Sequence, residues 1–291
     1  MLRSKLYPSN NQTQEQLLDL SLQNCPPGDV SKYFPNVHPS SQISTEVLRI
    51  QDNLNCGLNT INFYKNPIEY VYNPTEYARL PYEMYVKKYC QSKKRILYVG
   101  MNPGPYGMCQ TGVPFGDINW VTNWLQVEAP VSKPQRECPN RPVQGFMSTR
   151  KEQSGDKFWK LWSDVCITPE RFFKESFVYN YCPLAFMGVK GVNLTPEDIK
   201  KSKDLVSDRQ ELERICDMFY LDIINLLQPQ IIVAVGRYIE KRTKLVLKGA
   251  NSNIQILYLP HPSPRPKGNQ NWSDKAIEFL RTNNNLLQYF T

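Results

Sequence analysis

The feature that most constrains the fold of this chain is a glycine- and proline-rich segment at residues 96–117, ILYVGMNPGPYGMCQTGVPFGD. It opens with a short apolar run, Ile96–Val99, which predicts a buried strand. Five of the fourteen glycines in the chain then fall within residues 100–116, together with three prolines. Glycine lets a backbone approach a ligand closely, and proline stiffens it. A loop of this kind at the carboxyl end of a strand is typical of a ligand site in an open α/β sheet.

Composition sets the broad class of the protein. The chain has 291 residues, of which 41% are hydrophobic, and this is enough for a sizeable core. A net charge of +8 favours a polyanionic partner such as nucleic acid, although charge of this size also serves ordinary solubility. No apolar run reaches about 18 residues, so we predict no membrane-spanning helix and no membrane partner.

The eight cysteines are scattered through the chain, and no two lie closer than sixteen residues. This spacing provides neither a paired metal knuckle nor a local cluster-binding run, so we expect no metal and no cofactor. Free thiols in a reducing compartment are the simplest interpretation. Cys109, inside the glycine-rich segment, is either a reactive thiol or a small packing residue.

The pattern along the chain predicts a loose tail at residues 1–42, rich in Ser, Asn, Gln and Pro, and one folded domain at residues 43–291. Helical segments separate four apolar runs that predict core strands, at Ile96–Val99, Phe177–Tyr181, Ile231–Val235 and Ile254–Leu259. This alternation predicts a three-layer α/β/α fold around a central four-stranded, mostly parallel sheet.

Periodicity and capping signals predict the helices. The predicted segments are Thr45–Gly57, one starting at Trp120, Lys157–Cys166 with Asp156 as N-cap, Arg209–Gln228, and Ser273–Arg281 with Ser273 as N-cap. Residues 127–154 contain four prolines and little periodicity, which predicts a long loop. A run of basic residues, Lys241, Arg242, Lys244 and Lys248, predicts a solvated helix face.

Three polar side chains stand near the ends of predicted strands. Asn102 follows the first strand, Asn180 lies near the end of the second, and His261 follows the fourth. Because the carboxyl ends of parallel strands meet at one sheet edge, we expect these side chains to converge on a ligand. Two alternatives stay open: Asn180 could satisfy loop backbone, and His261 could cap or pack at its strand end.

Two further features suggest contact with a nucleic acid. Phe115, held among glycines, either packs in the core or stacks on a flat ligand such as a nucleobase. After His261 come Pro262, Ser263, Pro264, Arg265, Pro266 and Lys267. Their composition predicts a rigid, basic, protruding loop that wedges into a base stack.

Taken together, four motifs resemble the single-strand-selective monofunctional family of the uracil-DNA glycosylase superfamily. They are GMNPGPYGMCQTGVPFG at 100–116, NYCPL at 180–184, NLTP at 193–196 and LPHPSPR at 259–265. The resemblance extends from about Ile68 to the C-terminus and implies a fold like that of uracil-DNA glycosylase, with the catalytic domain at residues 43–291.

The resemblance implies a role for each matched residue. Asn102 would position the attacking water at C1′ of the sugar, and His261 would stabilise the departing base anion. Met101 and Gly104 would line the pocket with backbone groups, Phe115 would stack on the everted base, and Asn180 would pair with its polar edge. The wedge would consist of Pro262, Ser263, Pro264, Arg265, Pro266 and Lys267, with Arg265 as its main contact.

The implied activity is hydrolysis of the N-glycosidic bond of uracil and 5-substituted uracils, such as 5-hydroxymethyluracil, in single- and double-stranded DNA. The base would be flipped out of the stack, and this step would initiate base excision repair in the nucleus, by a monomer. No lysine lies in the matched pocket motifs, so we expect no lyase step.

Two alternatives remain for the function: a mismatch-type glycosylase of the same superfamily with a different base preference, and a catalytically inactive DNA-binding module. The preference between single and double strands also stays open. Relatives usually carry an Asn-Pro pair after the wedge arginine, whereas Pro266 and Lys267 follow Arg265 here.

Overall fold

A four-stranded parallel sheet organises the protein in a computed structural model that describes residues 40–199, 202–248, 253–263, 269–283 and 285–290. Its strand order is β3-β2-β6-β7, and every neighbouring pair is parallel. The strands in these ranges are β1 (Tyr70–Tyr72), β2 (Ile96–Gly100), β3 (Ser176–Asn180), β4 (Ala185–Met187), β5 (Asn193–Leu194), β6 (Ile231–Val235) and β7 (Gln255–Leu259). The four predicted core strands are confirmed to within one residue at each end.

The burial of the four strands explains why the sequence marks them clearly. Every residue of β2, β3 and β6 is buried, since helices cover both faces, and each strand therefore appears as a continuous apolar run. The edge strand β7 is only partly buried, with Leu257 and Leu259 turned inward.

Eleven helices accompany the strands in the described residues. They are α1 (Gln42–Leu58), α2 (Pro74–Tyr77), α3 (Arg79–Tyr89), α4 (Met108–Thr111), α5 (Ile118–Asn123), α6 (Gln153–Cys166), α7 (Pro169–Glu175), α8 (Pro196–Ile199), α9 (Val206–Leu227), α10 (Arg237–Val246) and α11 (Trp272–Thr282). Short 3-10 turns lie at Gly145–Met147, Val189–Gly191, Lys203–Leu205 and Leu286–Tyr289.

Aromatic contacts define the two helical layers. On one face of the sheet, Tyr85 of α3 stacks on Phe177 of β3, with ring centroids 5.2 Å apart. On the other face, Trp162 of α6 meets Tyr98 of β2 edge to face at 5.1 Å. Helices therefore pack on both faces of a parallel sheet, and the predicted three-layer α/β/α fold is confirmed.

A second, smaller sheet was not predicted. Strands β1, β4 and β5 form an antiparallel sheet in the order β1-β4-β5, with Tyr72 opposite Ala185 and Phe186 opposite Leu194. These strands have two or three residues each, too few to produce an alternating pattern that a sequence window would detect.

Several predicted helix starts were wrong. Helix α6 begins at Gln153, and its N-cap is Glu152, whose side chain accepts from the Ser154 N–H, so Asp156 lies inside the first turn. Helix α11 begins at Trp272 after Asn271, so Ser273 is not its cap. Helix α5 begins at Ile118 rather than Trp120.

The sequence predicted that the basic run at residues 241–248, on and just after α10, is solvated. The structure confirms this only in part. Lys241, Lys244 and Lys248 are exposed, but the guanidinium of Arg242 is largely buried against Asp217 and Glu213. Asp217 in turn accepts from the hydroxyl of Tyr181 at 2.7 Å, directly after β3. This cluster fixes the segment through which β3 leaves the sheet.

The predicted tail lies outside the described residues up to position 39, as do His38 and Cys25. Six of the cysteines that the structure describes are buried free thiols: Cys90, Cys109, Cys138, Cys166, Cys182 and Cys216. No helix within the described ranges is long and apolar enough to cross a membrane. Over the same ranges, no group of His, Cys, Asp and Glu side chains could hold a metal ion.

Candidate active site

At the carboxyl ends of β2 and β3, two of the predicted site residues, Asn180 and Phe115, lie against Gly100, and Phe115 in turn neighbours His261. Gly100 lies opposite Asn180 in the strand register, and a Cβ atom added to Gly100 would collide with Asn180 Oδ1. The added Cβ atom would also lie 3.2 Å from the ring of Phe115. The centroid of that ring lies 6.0 Å from the centroid of the His261 imidazole. Only glycine at position 100 leaves room for this arrangement.

The side chain of Asn180 is buried without a strong hydrogen-bond partner. It is 7% exposed, and its Nδ2 lies 3.1 Å from the sulfur of Met108, a weak acceptor. In the described part of the chain its amide has no oxygen or nitrogen partner, so it does not satisfy loop backbone. A weakly partnered amide next to Gly100 and Phe115 favours a ligand-binding role for Asn180.

Phe115 both packs in the core and borders the site. Its ring stacks on Phe158 at 4.4 Å with an interplanar angle of 10°, which covers one face. Its φ of 54° is unusual for a bulky residue. The Phe115 carbonyl accepts from the Asp117 N–H at 2.7 Å and lies against Gly155, where any side chain would collide with it. Gly155, in the first turn of α6, therefore supports the position of the ring and was missed by sequence reasoning.

The imidazole of His261 has one defined tautomer. Its Nδ1 accepts from the backbone N–H of Ser263 at 3.1 Å, so the proton of the neutral ring resides on Nε2. Burial lowers the pKa of His261 to about 4, which keeps the ring neutral at pH 7. The site thus contains a neutral imidazole whose Nε2–H is available as a donor.

Asn269, which sequence reasoning also missed, anchors His261 and Ser263. The buried Asn269 amide donates to the carbonyl of His261 at 2.8 Å and to that of Ser263. Pro262 is buried, so the predicted protruding loop does not begin there. Pro264, Arg265, Pro266 and Lys267 lie outside the described residues, and their role as a wedge stays a prediction.

Asn102 lies two residues beyond the end of β2 and is partly buried. Its Nδ2 donates to the carbonyl of Leu184 at 3.1 Å, a bond that fixes the amide plane and leaves Oδ1 as the atom available to a ligand. Leu184, just before β4, thus contributes to the site through the small antiparallel sheet, which the sequence did not predict.

The remaining predicted residues contribute mainly backbone. The Met101 carbonyl accepts from the Cys182 N–H at 2.9 Å, which continues the β2–β3 pairing past the strands. The Gly104 carbonyl accepts from the N–H of Gly107 and of Cys109, at 3.2 and 3.1 Å. Cys109 itself is fully buried, and burial raises the pKa of its thiol, so it is a packing residue rather than a reactive thiol.

The fold and site together define a three-layer α/β protein with amide, imidazole and aromatic groups at the carboxyl edge of its sheet. A sequence model described as the uracil DNA glycosylase superfamily matches residues 87–288. The single-strand selective monofunctional uracil-DNA glycosylase of Rattus norvegicus is 42% identical over 202 residues, 69% of this chain and 71% of that protein. The Bos taurus protein of the same name is 40% identical over 201 residues, 69% of this chain and 72% of its own length.

Among solved structures, wild-type SMUG2 of Pedobacter heparinus is similar with a TM-score of 0.54 at 19% identity, covering 84% of this chain and 98% of that one. This likeness concerns the fold alone. The chain belongs to the uracil-DNA glycosylase superfamily. The family and fold class predicted from the sequence are confirmed.

We predict that Asn269→Ala lowers the free energy of unfolding by about 1–3 kcal/mol, because the partly buried carbonyls of His261 and Ser263 lose their donor. Urea denaturation measures this change. Gln270→Ala, at the exposed neighbouring position, is the matched control and should leave stability within about 0.5 kcal/mol. Equal stabilities of the two variants would contradict the anchoring role of Asn269.

A second prediction concerns the neutral state of His261. In a His38→Gln background, ¹⁵N shifts of the single imidazole should stay those of the Nε2–H tautomer from pH 8 to about pH 5. The imidazole binds a proton below about pH 6.5 in the unfolded chain but only below about pH 4 in the native protein. The free energy of unfolding should therefore be highest above pH 6.5 and decrease as the pH falls from 6.5 to about 4.

The double variant His38→Gln, His261→Gln isolates this contribution, since it lacks the remaining imidazole. Its pH–stability profile is subtracted from that of the His38→Gln variant. The difference in the free energy of unfolding should decline only between pH 6.5 and about 4. A native imidazole that titrates near its ordinary pKa would show that the ring is not desolvated.

Proposed function

We propose that this protein excises uracil, and 5-substituted uracils such as 5-hydroxymethyluracil, from single- and double-stranded DNA and so initiates base excision repair. Its enzyme class follows from its family and relatives: it is a monofunctional uracil-DNA glycosylase, a hydrolase acting on N-glycosyl bonds, and it binds DNA. The proposal concerns the range of bases, both strand forms, and the residues that carry the reaction.

The observation that carries the proposal is the buried, weakly partnered amide of Asn180 beside Phe115 and Gly100. An amide offers one acceptor and two donors, and these match a uracil edge in which a carbonyl stands next to an N–H. An everted base read in this way would have Phe115 at its face, on the side not covered by Phe158. Met101 and Gly104 would line the rest of the pocket.

In this mechanism, His261 stabilises the leaving base. When the C1′–N1 bond breaks, its electron pair stays with uracil, which departs as an anion. A neutral Nε2–H donates to this developing negative charge, and one such donor, preorganised in a desolvated site, is worth about 3 kcal/mol. The bond from the Ser263 N–H to Nδ1 supports this role because it keeps the proton on Nε2.

Asn102 positions the attacking water. Its Nδ2 is engaged with Leu184, so Oδ1 is the atom left to accept a hydrogen bond from water. An amide cannot act as a general base at neutral pH, and the sugar must therefore develop oxocarbenium character before the water oxygen bonds to C1′. One proton of the water is then released, which balances the charge of the uracil anion.

The remaining parts of the proposal rest on the sequence. Arg265, with Pro262, Ser263, Pro264, Pro266 and Lys267 around it, would fill the space that the everted base leaves in a duplex. Because the substrate is DNA, we place the activity in the nucleus, and we propose that the enzyme works as a monomer.

The direct test is alkali cleavage after incubation of the purified protein with single- and double-stranded oligonucleotides that carry uracil, 5-hydroxymethyluracil or an ordinary base. We expect abasic product from the first two bases, and no strand break before alkali, since no lyase step is proposed. Absence of product with every substrate, while DNA binding persists, would support the inactive binding module. Efficient excision of other mismatched bases would instead support the mismatch-type alternative.

We predict that Asn102→Ala lowers the single-turnover excision rate by about 10²–10³-fold while DNA affinity changes by less than about twofold, because the water loses its positioning group and Asn102 has no proposed contact with the DNA backbone. Gel-based single-turnover kinetics and fluorescence anisotropy measure the two quantities. Asn119→Ala, an exposed asparagine on α5, is the matched control and should behave as the wild type. An unchanged rate for Asn102→Ala would remove water positioning from the mechanism.

A further inference from the structure

Tyr106, in the middle of the glycine-rich segment, lies within reach of two guanidinium groups. The Cζ atoms of Arg141 and Arg150 lie 4.7 and 5.7 Å from the centroid of its ring. Both distances are within the range of a cation–π contact. One side chain of the glycine-rich segment therefore gathers two cations that come from the long 127–154 loop.

Neither arginine is neutralised by a carboxylate in the described part of the chain. Arg141 uses Nε to donate to the Gly191 carbonyl at 2.9 Å, and its Nη atoms make no bond to a described residue. Arg150 is exposed and forms no ion pair there. Two unpaired cations next to one aromatic ring repel each other mildly, and an anion placed between them would offset that repulsion.

The position of Arg141 is determined before any ligand binds. Its carbonyl accepts from the Tyr72 hydroxyl at 2.9 Å, and its Nε bond to Gly191 orients the guanidinium plane. A preorganised guanidinium loses less conformational entropy when it binds an anion, and its planar fork suits the two free oxygens of a phosphate.

The arginine-bearing loop is fixed to the segment that carries Asn102. Gln110 donates to the carbonyls of Pro105 and Pro142, at 3.0 and 3.1 Å, and its Oε1 accepts from the Gln144 N–H at 2.8 Å. Tyr106 is four residues from Asn102, so their Cα atoms lie at most about 14 Å apart. At about 3.4 Å of helix axis per nucleotide, this reach spans a few nucleotides of a DNA strand.

We propose that Tyr106, Arg141 and Arg150 form a binding site for phosphates of the DNA strand next to the everted nucleotide. Arg141 and Arg150 contact the phosphates, and Tyr106 is the positioning residue that holds both guanidinium groups. This site rests on the proposed function, because DNA carrying an everted base defines where the strand runs. It is separate from the predicted wedge after His261, which another loop carries.

The test is fluorescence anisotropy with a uracil-free, single-stranded oligonucleotide over a series of salt concentrations, using Arg141→Gln, Arg150→Gln and the double variant. Each substitution should raise Kd roughly fivefold at low salt. Each should also reduce the steepness of log Kd against log[salt] by about 0.7, the value for one phosphate contact on a single strand. Arg171→Gln, an exposed arginine on α7 at the amino edge of the sheet, is the matched control and should change neither quantity.

Single-turnover excision at saturating enzyme separates this proposal from the proposed function. Since the two arginines are proposed to hold the strand and not the reacting atoms, the variants should still excise uracil but need more enzyme than the wild type to reach half of the maximal rate. If Arg150→Gln keeps the wild-type affinity and salt slope and still excises uracil, the phosphate site is overturned and the proposed function stands. Failure of the wild type to excise uracil would overturn the proposed function instead.

Arg141→Gln also removes the bond to Gly191, so its unfolding midpoint is measured in parallel. Arg150→Gln removes no described side-chain bond and keeps the test decisive if Arg141→Gln is unstable. Tyr106→Leu keeps both charges but removes the ring. It should raise Kd, while the slope of log Kd against log[salt] should change by less than the value of about 0.7 for one phosphate contact. A Tyr106→Leu variant with unchanged Kd would contradict the positioning role of the ring.

Discussion

Parallel pairing of β2 with β3 and with β6 is the interaction on which the rest of the structure depends. It places the ends of four strands at one edge of the sheet, and the pairing continues past the strands, where the carbonyls of Gly100 and Met101 accept from the N–H groups of Tyr181 and Cys182. Residues far apart in sequence thereby become neighbours within a few ångströms. Without that alignment, the amide on β3 and the imidazole after β7 would have no common site.

Desolvation gives the site its chemical character. The same burial that leaves the Asn180 amide with only a thioether partner also lowers the pKa of His261 to about 4. A polar group taken out of water raises the free energy of the empty protein and is compensated only when a ligand with the complementary pattern arrives. Close packing supports this arrangement, since Gly100 and Gly155 leave no room for side chains where Asn180 and Phe115 lie.

Much of the fold could be predicted from the sequence, because strands buried on both faces appear as apolar runs and long amphipathic helices such as α9 have a clear period. The antiparallel sheet of β1, β4 and β5 could not, since its strands are too short for a pattern. The N-cap of α6 was also wrong: composition favours Asp156, whereas the helix begins one turn earlier, where Glu152 caps it and Gly155 packs against the Phe115 carbonyl.

The sequence by itself determined the chemistry available to the protein: Asn102, Phe115, Asn180 and His261, their order, and the strand ends that carry them. Only the tertiary structure decided how these groups are held. The Leu184 carbonyl holds the Asn102 amide, the Ser263 N–H holds the His261 ring, and the Asn269 amide holds the carbonyls of His261 and Ser263. The physical reason is that a hydrogen bond requires its two atoms to be placed to within a few tenths of an ångström, and the packing that does so brings together residues as remote as Asn102 and Leu184. Local composition does not encode such distances, and the packing of all layers together sets them.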